Sequence, residues 1–74
     1  MQVREHRGLE IQTHKIGEGY ISEVYRKGNL IYTVRNKEDL AGKFDSATIS
    51  FEAAREWIDH TYPVRKIEYL GEVS

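Results

Sequence analysis

"YISEVYRKGNLIYTVR", residues 20–35, decides the fold. Two runs rich in tyrosine, valine and isoleucine flank Gly28-Asn29, a pair suited to a two-residue type I′ or II′ turn. The stretch reads as a β-hairpin. With Gly28 and Asn29 as the turn, Lys27 faces Leu30, Tyr25 faces Tyr32, Glu23 faces Val34 and Ile21 faces Asn36. One face then carries Ile21, Tyr25, Leu30, Tyr32 and Val34 and is expected to be the core face. The other carries Ser22, Val24, Arg26, Ile31, Thr33 and Arg35, with Tyr20 at its end, and is polar enough to meet water.

Upstream, Leu9, Ile11 and Thr13 alternate with Glu10, Gln12 and His14, the pattern of a half-buried strand, and Gly17-Glu18-Gly19 supplies a turn. Residues 1–8 are polar and are expected to fray. Downstream, a charged loop leads into "GKFDSATISFEAAREWIDH", residues 42–60. Phe51, Ala54, Trp57, Ile58 and Thr61 fall on one helical stripe, with Glu52, Arg55, Glu56, Asp59 and His60 on the other side. Ser50 is an N-cap candidate, and Pro63 disfavours helical geometry at Tyr62. A helix of about 12 residues is marginal alone in water, so it must dock. The expectation is an α+β fold: an antiparallel three-stranded meander packed on one face by a single helix at 50–62. Trp57 is expected to be buried against Tyr25, Tyr32 or Val34.

Residues 64–70 hold Val64, Ile67, Tyr69 and Leu70. Val64, Ile67 and Leu70 would suit a short helix, but the alternation of Ile67 and Tyr69 with Lys66 and Glu68 favours a strand, added to the sheet or paired with a second copy. The intramolecular route, and hence a monomer, is preferred to a homodimer.

The 74 residues make a single small domain with a core of limited size. There is no cysteine, so disulfides and thiolate metal sites are excluded. The opening MQVREHRGLE is charged where a signal peptide needs an apolar core, and no run approaches the roughly 20 apolar residues of a membrane span. A soluble cytoplasmic protein without membrane contact is expected. The formal net charge of −1, with both signs interspersed, shows neither the basic excess of a dedicated nucleic-acid binder nor the acidity of a DNA mimic.

His6, His14 and His60 lie in separate elements without metal-ligand spacing. Glu38-Asp39 and Glu52/Glu56 read as solvated charge, and Ser46, Thr48 and Ser50 as caps rather than nucleophiles. Gly17-x-Gly19 lacks the third glycine of a phosphate loop. Neither an enzyme, nor a cofactor, nor a bound metal is expected. The candidate binding surface is the polar sheet face, with Arg26 and Arg35 on adjacent strands and Gln12, His14, Tyr20, Ser22 and Thr33 around them. A binding module is expected, with a protein partner preferred. Nucleic acid is the alternative, because guanidinium, hydroxyl and amide groups on a ribbon suit the major groove.

Residues 20–58 also resemble known domains. Three strands, then G-x-F-D-S (Gly42, Phe44, Asp45, Ser46), then S-x-E-x-A-x-x-W-I (Ser50, Glu52, Ala54, Trp57, Ile58) look like the arm-type N-terminal domains of tyrosine integrases and the plant ethylene-response DNA-binding domains. Small bacterial and phage proteins share the same helix pattern. The order of elements is similar to that of HicB-like antitoxins, without their proline-containing segment after the second strand. In the first two families the strands enter the major groove, a role the resemblance would carry to Arg26 and Arg35.

Overall fold

A computed structural model describes residues 1–63; the expectations for residues 64–74 lie outside the described residues. Four strands follow one another as an antiparallel meander: β1 (Gln2–His6), β2 (Leu9–Ile16), β3 (Gly19–Arg26) and β4 (Asn29–Val34), in sheet order β1-β2-β3-β4. Helix α1 (Ala47–Thr61) packs on one face of this open sheet. The α+β class and the single covering helix are as the sequence leads one to expect. The fourth strand comes from the N-terminus, where fraying was expected. Gln2–His6 pairs along its full length with Leu9–Thr13, and its charges are those of a sheet edge.

The turns explain the register. Lys27 and Gly28 both have positive φ (51° and 85°), as a type I′ turn requires, so the turn is Lys27-Gly28 and not Gly28-Asn29. Arg26 therefore faces Asn29, and Tyr25 faces Leu30. A bulge between Val24 and Tyr25 then sets Val24 opposite Tyr32 and Ser22 opposite Val34. Two rungs cross the helix-covered face: Arg4, Ile11, Val24, Tyr32 and Gln2, Thr13, Ser22, Val34. Ser22 and Val24, expected to face water, thus lie in the core. Ile21 is buried too, but apart from the cluster under the helix; Tyr25 is half-buried and Leu30 is exposed.

That cluster consists of Leu9, Ile11, Val24 and Val34 from the sheet with Phe51, Ala54 and Ile58 from α1. Burial of each large aliphatic side chain stabilises by about 1.5–3 kcal/mol. A hydroxyl chain runs through it. Thr13 Oγ1 lies 2.9 Å from Ser22 Oγ, which lies 2.7 Å from Ser50 Oγ on the helix. Ser50 is therefore not the N-cap. Ser46 is, its Oγ accepting from the Ile49 N–H at 3.1 Å, and α1 begins at Ala47. At the other end Tyr62 is the C-cap, where the expectation placed it.

The segment between β4 and α1 is held by its own polar groups. Asp39 Oδ2 accepts from the N–H groups of Ala41 and Lys43, and Asn36 Oδ1 accepts from Glu38 N–H. Phe44 then exchanges two backbone hydrogen bonds with Tyr20 (2.9 and 2.7 Å), continuing the column that β4 leaves at Val34.

Candidate binding surfaces

The uncovered face is built from two rungs of the same ladder: Glu5, Glu10, Tyr25, Leu30 and Val3, Gln12, Glu23, Thr33. His14, beside Ile21, shares this face. Gln12 donates to Glu10, and the Tyr25 hydroxyl donates to Glu23 Oε1 at 2.9 Å. That hydrogen bond to a carboxylate, chiefly, holds the Tyr25 phenol above its ordinary pKa of 10.0. His14 Nε2 sits 2.8 Å from Glu23 Oε1, off the line of a well-formed hydrogen bond.

Of the residues expected to share one exposed face, the structure brings Gln12, His14 and Thr33 together. It separates the others. Ser22 is fully buried under the helix. Tyr20 follows the parity of Ser22 and sits beside Phe44. Arg26 lies on the helix side, its guanidinium carbon 5.2 Å from the centroid of the Tyr62 ring. Arg35 lies beyond the end of β4, beside Gly42. The adjacent arginine pair on which a groove-reading sheet face depended is therefore absent. In its place stand three carboxylates, Glu5, Glu10 and Glu23. The bulge at Val24/Tyr25, which composition does not reveal, turned the β3 face that bears Ser22 and Val24 toward Tyr32, Val34 and the helix.

A second surface lies along β4. The two edges of the sheet differ in chemistry. QVREH of β1 carries Arg4, Glu5 and His6, whereas NLIYTV of β4 carries no charge. Leu30, Ile31 and Tyr32 are 51%, 37% and 38% exposed. Among the described residues, no strand pairs with the outer side of β4. Next to it, Trp57 stacks on Tyr32 with ring centroids 4.2 Å apart and planes 1° from parallel, and Tyr62 meets Trp57 edge-on at 6.1 Å. Trp57 thus contacts Tyr32 as expected, but it is half-buried and forms the wall of a groove instead of the centre of the core. That groove, about 430 Å³, runs between β4 and α1, and Val34, Phe44 and Ala53 line it together with the charged Arg35, Lys37, Glu38 and Glu56. Sequence reasoning missed this surface because it assigned Tyr32 and Trp57 wholly to the core. The absence of charge from residues 29–34 was the available signal.

A third surface is the end of the sheet where the β1–β2 and β3–β4 turns meet the C-terminus of α1. Arg7, Arg26 and Lys27 line a cavity of about 270 Å³ there, floored by Leu9 and Ile58. His6 and Arg7 pair with Asp59 at 2.7 and 3.3 Å. The His6 hydrogen bond is the main cause that lowers the Asp59 pKa, against the opposing effect of burial, with Arg7 adding to it. A basic residue followed by glycine at both turns, Arg7-Gly8 and Lys27-Gly28, was the sequence signal for this site.

Among the described residues, no cluster of three histidine, aspartate or glutamate side chains could hold a metal ion, and no helix is long and apolar enough to cross a membrane. No family model matches the chain, nor does any curated protein or solved structure.

Proposed function

We propose that this domain is a non-enzymatic protein-binding module that takes an extended segment of a partner protein along β4. The observation that carries the reading is the contrast between the edges. A charged edge resists pairing with another chain, and a charge-free apolar edge invites it. Strand addition draws affinity from backbone hydrogen bonds and specificity from pockets for alternate side chains. The groove beside β4 offers such a pocket, with the Trp57–Tyr32 stack as a flat aromatic wall for one apolar side chain of the partner.

The reading in which the sheet enters a nucleic-acid groove is less well supported. Arg26 lies on the helix side, and the uncovered face carries Glu5, Glu10 and Glu23, which repel phosphate.

The test is selection of binding peptides from a displayed random library, followed by amide mapping on the isotope-labelled full chain. Bound peptides should shift residues 29–34 and slow their hydrogen exchange. Ile31→Lys, a surface change that charges the edge, should weaken binding at least tenfold without unfolding the domain. Peptides that shift Glu10, Gln12 and Glu23 instead, and bind Ile31→Lys equally well, would overturn the assignment.

A further inference from the structure

We propose a second binding site, independent of β4, for a phosphate monoester at the cavity between the two hairpin tips and the end of α1. Arg7 reaches it from the β1–β2 turn and Arg26 and Lys27 from the β3–β4 hairpin, and its floor is Leu9 and Ile58. Among the described residues, no carboxylate lines it. Guanidinium groups match the oxygens of a phosphate in pairs, and an ammonium adds a point charge.

A structural explanation for the cations is available and falls short. The C-terminus of a helix carries roughly half a negative charge, and cations near it are stabilising. Asp59 is matched by His6 as well as Arg7. Three cations against one carboxylate and about half a charge of helix dipole leave a surplus of roughly +1.5. A phosphate monoester carries about −1.5 to −2 at neutral pH. The charges match. The cavity volume, about 270 Å³, lies below the span typical of drug-sized ligands, so it accommodates the phosphate and little of what carries it.

The backbone supplies a second, independent observation. Arg7 and Lys27 are the only non-glycine residues with positive φ among those described, at 54° and 51°. Each occupies the first central position of a type I′ turn, where Asn, Asp or Gly fits at lower cost. Both hairpins accept the same strain to place a cation at the same end of the sheet. Strain held at a residue type that the turn does not favour is a pointer to binding.

Lys27→Asn separates the explanations, because asparagine suits the turn and removes the charge. Inorganic phosphate titrated into the labelled full chain at constant ionic strength should shift the amides of Gly8, Lys27 and Gly28, and chloride should not. Lys27→Asn should raise the thermal midpoint while weakening phosphate binding about tenfold. Arg26→Gln should weaken it similarly. A nucleoside 5′-monophosphate that binds as well as free phosphate supports the monoester; much weaker binding would overturn it in favour of the free ion. Equal shifts with chloride, or unchanged affinity in Lys27→Asn, would overturn the site. A short single-stranded oligonucleotide binding more tightly than phosphate, with the same sensitivity to Lys27→Asn, would overturn the monoester assignment in favour of a nucleic-acid backbone.

Discussion

Ser22 Oγ and Ser50 Oγ lie 2.7 Å apart at the centre of the interface between sheet and helix, both side chains wholly shielded from water. With Thr13 they form the buried hydroxyl chain that joins β2, β3 and α1. A buried hydroxyl deprived of its partner costs about 1–3 kcal/mol, whereas removing every member together is closer to neutral. Ser22→Ala, at the middle of the chain, should therefore destabilise by about 1–3 kcal/mol in urea unfolding. The triple variant Thr13→Val, Ser22→Ala, Ser50→Ala should lose less than the three single losses added together. Additive losses would mean that the hydroxyls act independently.

This chain also explains where the sequence misled. Ile21 and Tyr25 are bulkier than Ser22 and Val24, whose face also carries Arg26, so side-chain size and charge chose the wrong face of β3 for the helix. Serine is acceptable in that core because Thr13 and Ser50 satisfy it, and a pairing between three separate elements leaves no local trace. The bulge compounded the error, since it sets Val24 and not Tyr25 opposite Tyr32, whereas the displaced turn shifts the pairing by two residues and keeps the faces. Lys27-Gly28 and Gly28-Asn29 are both plausible hairpin centres by composition, and only the positive φ of Lys27 decides between them. Alternation in β2, the helical stripe and the stop near Tyr62 were all legible, because each is a local pattern. The edge strand β1 was not, since the charges that protect an edge look the same as those of a frayed terminus.

The helix anchor follows from the burial pattern. Ile58 is fully buried in the main cluster, while Trp57 is only half-buried against Tyr32 at the rim. Ile58→Ala should cost about 2–5 kcal/mol, enough to unfold a domain of this size at room temperature. Trp57→Ala should cost less and leave a folded protein with a wider groove. Circular dichroism melts of the two variants check the order. A folded Ile58→Ala beside an unfolded Trp57→Ala would reverse the roles.

The Asp59 carboxyl makes stability acid-sensitive. Its pKa lies below the ordinary 3.8, first because His6 hydrogen-bonds to it and then, against the effect of burial, because Arg7 does. A carboxylate with a lowered folded pKa contributes stability that is present above the unfolded value and lost as pH falls through the folded one. Asp59→Asn should therefore remove part of the stability loss seen below about pH 4. In the parent, His6→Ala should move the Asp59 titration upward by more than Arg7→Ala does, as followed by carboxyl carbon shifts. Equal displacements would mean that the two contacts share the effect evenly.

Gly19 tests how the segment between β4 and α1 is seated. A Cβ at this position would come within 2.5 Å of Lys43 Cβ and 3.1 Å of the Phe44 carbonyl oxygen, closer than side chains tolerate. The near atom is at the root of the lysine side chain, so rotation of its far end gives no relief. The strand and the segment must separate. Their contact is the pair of backbone hydrogen bonds between Tyr20 and Phe44, which also sets Phe44 against the core and leads the chain to the Ser46 cap. Gly19→Ala should accordingly destabilise by about 1–3 kcal/mol, the usual penalty for overpacking. Hydrogen exchange locates the damage: the Tyr20 and Phe44 amides should lose protection, while Ile11 and Val24 keep it up to the point of global unfolding. Wild-type protection at Phe44 in this variant would show that the segment does not seat against β3 in solution.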